Sequence, residues 1–481
     1  MAKNKSLTSG GIYYLLYNVL NVAFPLVSGI YVSRKLLPSD IGTVTAAQNL
    51  AQYFFLLSFL GVPAYGLREI SKTRNDRDER NQIFSELFII NLISTIVFLA
   101  AYILLIFLVK AYRDELVLYL VVGISVALNI FNISWIFEGL EEFRFISLRN
   151  LAFKILTFAL LVIFVRGKED YLNYACVSVV GTAGHYVINV FFAPKFVRFT
   201  TKKLNLKRHL KPVFYLAAVN LAIEIYSLMD ITMMNFMSTK ESIAFYKYGH
   251  NIQRMLAQVV NTFTLVLIPR ISFYYKEKRY DEFNDLLSKT LRIIIIVAVP
   301  MIVGVQFTSD FLLTQIYGEE YIASSYILKM FSVLLLITPI GYLLGSRVLL
   351  ATDHENKMFI SVGAGAVVNL IGNALLIPHY NEYGAAIATI VSEVVVMVVY
   401  VELGRKYFKL KNVHRTVGRV AAAAAVMALY LWGCTGLSGN GWVVLLAQVA
   451  VAPLIYFTVM YFLKDDIIQY YADMFLKRLR R

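Results

Sequence analysis

The feature that most constrains this chain is a nearly unbroken succession of apolar runs, each long enough to cross a bilayer. They lie near 11–33, 41–63, 83–109, 115–137, 148–166, 171–193, 212–236, 250–271, 290–308, 325–346, 358–378, 383–403, 416–433 and 442–463, where about 20 apolar residues of helix suffice to span the hydrocarbon. In lipid every backbone polar group has to be satisfied within its own segment, so runs of this length fold as helices. The expected class is an all-α integral membrane protein of about fourteen transmembrane helices. Of the 481 residues, 58% are hydrophobic and 16% charged, against roughly 25% charged in an average soluble domain. What remains between the runs is too short for a catalytic ectodomain.

A net charge of +15 would by itself suit nucleic acid, but its distribution does not. Lys and Arg concentrate in alternate loops, the pattern left by membrane insertion. The segment from Lys195 to Lys211 alone holds seven, whereas 309–324, 379–382 and 434–441 hold none. Alternation from a cytoplasmic N-terminus places the basic loops inside and, with an even number of spans, both termini in the cytoplasm. Lys3 and Lys5 precede an apolar run with no small-residue cleavage site behind it, so that run reads as a retained first span. Cys176 and Cys434 are the only cysteines, too few for a disulfide framework or a thiolate metal site. No nucleotide or metal motif occurs, and no cofactor is expected.

The basic stretch 195–211 is the natural boundary between halves. An offset of 202 residues aligns Ile41 with Ile243, Gly42 with Ala244, Asn49 with Asn251 and Arg68 with Arg270. An offset of 214 aligns Phe145-Ile146-Ser147 with Phe359-Ile360-Ser361. Six helices before the second half insert both halves with the same orientation, as parallel repeats. The expected organisation is a lobe at 1–208, a second at 209–412, and two further helices with a basic tail at 413–481. Two pseudo-symmetric six-helix lobes around a central cavity would make a transporter.

The chain resembles the Wzx-type polysaccharide flippases, in the superfamily that also holds lipid II flippases and multidrug extrusion (MATE) transporters. The resemblance runs along nearly the whole length. It is most specific at Phe24-Pro25-Leu26, at Ser33-Arg34-Lys35-Leu36-Leu37-Pro38 with Ile41-Gly42, and along the string from Leu60-Gly61-Val62-Pro63 through Tyr65-Gly66-Leu67-Arg68 to Ile70. Trp135 with Gly139-Leu140-Glu141-Glu142-Phe143, Asp230, and Pro269-Arg270-Ile271-Ser272 add less distinctive matches. The resemblance implies a V-shaped cavity between two lobes and movement of undecaprenyl-pyrophosphate-linked oligosaccharides from the cytoplasmic to the outer leaflet of the bacterial plasma membrane. It also implies a setting beside a polysaccharide polymerase and chain-length machinery.

Such a substrate joins a polar sugar, an anionic pyrophosphate and an apolar tail, so intramembrane charges are the first place to look. They are costly in hydrocarbon and face a cavity or one another. The substrate candidates are Arg34, Arg68, Lys154, Glu224, Asp230, Arg254 and Arg270. Each has a bland counterpart: Arg34 and Lys154 can snorkel, Arg68 and Arg270 can be inside anchors, and Asp230 with Arg254 can form a structural ion pair. Asp230 and Glu393 are candidates for proton or sodium coupling, Glu393 otherwise being a carboxyl hydrogen-bonded to a neighbouring helix. Pro25, followed by Gly29, is the expected hinge in the first helix. A cation-coupled MATE-like exporter is the alternative within transport. A membrane glycosyltransferase or polymerase is a weaker alternative, since the longest outer loop, about 309–324, offers only Asp310, Glu319 and Glu320.

Overall fold

The computed structural model describes residues 24–202, 204–265, 268–354, 356–435 and 441–479. Residues 11–23 of the first expected span therefore lie outside the described residues. Within them the regular structure is helical throughout, and the chain divides by packing into two compact units, Met1–Ala244 and Phe245–Arg481.

The first unit begins with α1 (Phe24–Ser33). Then comes α2 (Pro38–Phe59), whose ladder stops at Leu60 in a positive-φ conformation before Gly61 and Pro63 open α3 (Val62–Lys72). Next are α4 (Arg77–Leu108), α5 (Leu116–Gly139), α6 (Phe143–Phe164) and α7 (Tyr171–Lys195). Asp76 caps α4 by accepting the amides of Asp78 and Glu79 at 3.0 Å each, which satisfies donors a helix start leaves open. The unit closes with α8 (Lys207–Met237) and the start of α9 (Lys240–Leu265). Two glycines allow α2 and α3 to touch these last helices. A Cβ on Gly42 would stand 1.7 Å from the Lys240 carbonyl oxygen, and one on Gly61 2.4 Å from that of Val213. Small residues at such crossings are how membrane helices approach closely.

The second unit continues through α10 (Ile268–Lys276), α11 (Tyr280–Tyr317), α12 (Ile322–Phe331) and α13 (Leu334–Ala351). The segment α14 (Asn356–Gly404) looks continuous, but Asn381 has φ 49° and ψ −126°. Gly365 then faces Val396 and Gly372 faces Ala388, so α14 is an antiparallel hairpin of two helices, as expected from the separate runs 358–378 and 383–403. After it come α15 (Val413–Cys434), α16 (Gly441–Phe462) and α17 (Asp466–Leu479). The largest core cluster of this unit joins Leu287, Ile294 and Ala298 of α11 to Val420 and Met427 of α15 and Tyr456 of α16. The two helices added after the repeat are thus packed on α11.

Among the described residues ten helices have the length and apolarity to cross a membrane, one of them containing the α14 hairpin. Helices stand at all fourteen expected positions, the first only in part. One of the expected spans, α9, has spanning length without spanning composition, because His250, Gln253, Arg254 and Gln258 run through its middle, whereas α8 carries Glu224, Ser227 and Asp230 within an otherwise apolar helix. Elsewhere large apolar side chains such as Ile96, Leu104, Phe107 and Leu108 of α4 are exposed, as lipid-facing surface should be. The chain is a multi-pass membrane protein.

Candidate functional site

The strings that carry the family resemblance form a packing seam within the first unit. A Cβ on Gly66 would lie 2.6 Å from the Trp135 ring, and Gly139 packs on Ile70 at 2.8 Å by the same measure. The Gly139 carbonyl accepts from Arg74 Nε at 3.0 Å and from the Ser71 hydroxyl at 3.3 Å. Arg74 pairs with Glu141 at 2.6 Å. Most of the motif therefore serves to lock α3 against the end of α5. Arg68 stands apart from this seam: its side chain is 56% exposed, lies over the Tyr65 ring and donates to Glu69 at 3.2 Å. Lys72, also exposed, donates to the same carboxylate at 2.9 Å. The repeat-related Arg270 is exposed on α10, which like α3 begins with a proline in its first turn.

A polar seam joins α2, α7 and α8 farther along. Asn49 Nδ2 donates to Thr232 Oγ1 at 2.7 Å and to the Leu228 carbonyl at 3.2 Å. The Tyr53 hydroxyl lies 3.0 Å from the same threonine, and Gln48 donates to Ser178 of α7 at 2.9 Å. Asp230 is buried here, close enough to Tyr53 to act on it electrostatically. Glu224, on the same helix, is half-buried. Lys154 of α6 reaches α1, its ammonium 5.5 Å from the centre of the Phe24 ring. Pro25 and Gly29 are in α1 and Arg34 is exposed just beyond its end. The Tyr31 hydroxyl donates to the Val165 carbonyl at 2.8 Å, fixing α1 to the end of α6.

In the second unit Glu393 accepts from Thr338 Oγ1 at 3.3 Å. Tyr342, within electrostatic reach of both Glu393 and Arg347, opens a π-helical turn at Tyr342–Arg347. Such turns inside α-helices are frequent at functional sites. Tyr400 closes over it, since a Cβ on Gly345 would be 2.1 Å from the tyrosine Cβ. Arg254 is exposed on α9; it belongs to the second unit and Asp230 to the first.

Three buried charges that sequence reasoning passed over hold several partners each. Glu86 of α4 is fully buried and accepts from the Asn205 amide at 2.6 Å, from Arg208 Nε and Nη2 at 2.9 and 2.6 Å, from His209 Nε2 at 2.6 Å and from Gln82 at 3.0 Å. It fastens the basic stretch before α8 to α4. Arg149 of α6 lies over the Phe145 ring, donates to Asn150 at 3.0 Å and reaches Asn189 of α7. Arg292 of α11 donates to Thr416 at 2.7 Å, to Asp466 at 3.0 Å and to Asp465 at 3.4 Å. That hydrogen bond from Arg292 holds the Asp466 carboxyl below the usual carboxylate range. The signal was present: Glu86, Arg149 and Arg292 lie inside the apolar runs, near their first residues.

Comparison with known proteins agrees with these observations. The chain is 23% identical over 403 residues to the "Putative O-antigen transporter" of Escherichia coli K12, covering 82% of this chain and 96% of that one. It is also 23% identical to the capsular polysaccharide biosynthesis protein CapF of Staphylococcus aureus, over 82% of this chain and 98% of the relative. Among solved structures, the lipid II flippase MurJ in an inward closed conformation superposes with a TM-score of 0.74 at 15% identity, covering 98% of this chain and all of the other. An inward-facing MATE family multidrug resistance transporter superposes with a TM-score of 0.63 at 14% identity, over 84% and 95%. The model of the polysaccharide biosynthesis protein family matches residues 7–275, more than half of the sequence, and the chain belongs to that family.

Proposed function

We propose that this protein is a flippase of cell-surface polysaccharide synthesis, moving undecaprenyl-pyrophosphate-linked oligosaccharide repeat units from the cytoplasmic to the outer leaflet of a bacterial plasma membrane. The observation that carries this most is the match to a protein named as an O-antigen transporter over 96% of that protein's length. The loop charges support cytoplasmic termini, and internal repeats support alternating access between two lobes. In this scheme the exposed Arg68 and Arg270 receive the pyrophosphate on the cytoplasmic side. Lys154, Arg34 and Arg254 provide cationic steps, and Glu224, Asp230 and Glu393 supply carboxylates for the sugar or a coupling proton or sodium ion. Pro25 and Gly29 bend α1. A polymerase would consume the product on the outer face, and the protein itself makes no covalent change.

The MATE-like fold and the buried or half-buried carboxylates Asp230 and Glu393 favour cation-coupled drug export as the second reading. Deleting the gene in its host separates the two. Flippase function predicts lipid-linked repeat units accumulating in the inner leaflet and loss of surface polymer, with drug susceptibility unchanged. Unaltered polymer with increased drug susceptibility would overturn the flippase reading in favour of export.

A further inference from the structure

The final helix, α17, was expected only as a basic tail, and neither transport scheme uses it. Its start is firmly built. Helix α16 ends at Phe462, the turn after it closes at Lys464, held at φ 56°, and the next residue, Asp465, is fully buried. Asp465 Oδ1 accepts the Ile467 and Ile468 amides at 3.1 and 3.4 Å, capping α17. Its other oxygen accepts from Thr416 at 3.3 Å and faces Arg292 at 3.4 Å and Arg419 at 3.5 Å. The direction of α17 is therefore set by side chains of α11 and α15.

Along α17, Ile467, Tyr470, Tyr471 and Met474 recur at helical spacing, forming one apolar stripe. Ile467 and its neighbour Ile468 pack on the core, but Tyr470, Tyr471 and Met474 are 65%, 51% and 42% exposed. The stripe begins immediately after the end of a membrane-spanning helix whose last exposed side chains, Phe457, Tyr461, Phe462 and Leu463, form its lipid-facing surface. Gln469 and Asp473 lie on the opposite face, and the sequence ends with Lys477, Arg478, Arg480 and Arg481. An exposed aromatic stripe contiguous with lipid-facing surface, followed by four cations, fits a bilayer interface with anionic headgroups.

We propose that α17 lies flat on the membrane surface, its Tyr470–Tyr471–Met474 stripe immersed at the headgroup level and its terminal cations bound to anionic lipid. Only the assignment to the inner leaflet rests on the topology proposed above. The test uses the full-length protein carrying Cys176→Ser and Cys434→Ser, with single nitroxide labels on Gln469→Cys, Tyr470→Cys, Tyr471→Cys, Asp473→Cys and Met474→Cys, in vesicles of phosphatidylcholine with or without phosphatidylglycerol. Labels at 470, 471 and 474 should collide mainly with oxygen dissolved in the bilayer, and those at 469 and 473 with a water-soluble nickel chelate. Immersion should deepen with phosphatidylglycerol, and the double variant Lys477→Glu/Arg478→Glu should lose that deepening. Uniform access to the chelate overturns the proposal. So does shielding of the stripe from both reagents, which would mean a covering protein such as a second copy. Equal immersion in the two vesicle types overturns the anionic-lipid assignment. None of these readouts requires transport, so a failed flippase assay leaves them intact.

Discussion

At the residue scale the clearest physical feature is that the best-satisfied buried charges hold helices to one another. Glu86 is fully buried and ringed by donors from two sequence segments, Gln82 on its own helix and the stretch 205–209. Removing one partner of a buried pair leaves the other uncompensated, at a cost of about 3–5 kcal/mol. Glu86→Gln is therefore expected to lower the thermal unfolding midpoint of the purified protein substantially, whereas Arg68→Gln, at an exposed position, should leave it nearly unchanged while weakening transport. Arg292→Ala should destabilise to a similar degree as Glu86→Gln, because Asp465 has no solvent to fall back on. The Asp466 carboxyl lies below its ordinary value in the folded protein because Arg292 bonds to its charged form. Its contribution is thus complete above the unfolded carboxylate pKa of about 4 and fades as pH falls through the lower folded value. Unfolding midpoints measured between neutral pH and about pH 3 should show an acid loss that Asp466→Asn lacks. Sequence reading found the charges in mid-run, such as Asp230, Lys154 and Glu393. It passed over Glu86 and Arg292 because α4 and α11 begin at Arg77 and Tyr280, ahead of the apolar runs, which places both residues deeper in their helices than the hydropathy suggested.

Elements end here by a shared device. Glu141, Lys278, Asp353 and Lys464 all take positive φ near 58° just past a helix end. After each, the next amide reaches back five residues: Glu142 to Phe137, Arg279 to Tyr274, His354 to Leu349 and Asp465 to Met460. This is a Schellman cap, a position that usually belongs to glycine. An L-residue in the left-handed region costs about 1 kcal/mol or more. Lys278→Gly, at an exposed site, should therefore raise the unfolding midpoint, and Lys278→Val should lower it. Glu141 and Asp353 follow the fourth helix of each half, so the repeat read from Phe145-Ile146-Ser147 and Phe359-Ile360-Ser361 has a counterpart in backbone geometry. Hydropathy located the long apolar helices, but not α3 or α17, nor how each helix is interrupted. The break at Leu60, the hairpin at Asn381 and the π-helical turn at Tyr342–Arg347 depend on packing partners distant in sequence, such as Tyr400 over Gly345.

For the whole molecule, membership of the polysaccharide biosynthesis protein family gives the setting and a MurJ-like fold over 98% of the chain gives the architecture in which the proposed function is to be tested. The motif strings that made the resemblance legible prove to be mostly packing: Gly66 seats Trp135 and Gly139 seats Ile70. They announce the fold more than the cargo. Under the proposed function the cargo would be met by Arg68, Lys154, Asp230, Arg254, Arg270 and Glu393, and each role depends on whether that residue meets water during transport. The most direct measurement is leaflet exchange in vesicles. Purified protein is reconstituted with a fluorescent undecaprenyl-pyrophosphate-linked oligosaccharide, and the fraction accessible to an added membrane-impermeant sugar-modifying enzyme is followed in time. The account predicts that accessibility rises from the outer-leaflet fraction toward completion, and that Arg68→Gln with Arg270→Gln slows the rise at least about tenfold, equivalent to about 1.4 kcal/mol. Accessibility fixed at the outer-leaflet fraction, in vesicles where a control flippase completes the exchange, would contradict it.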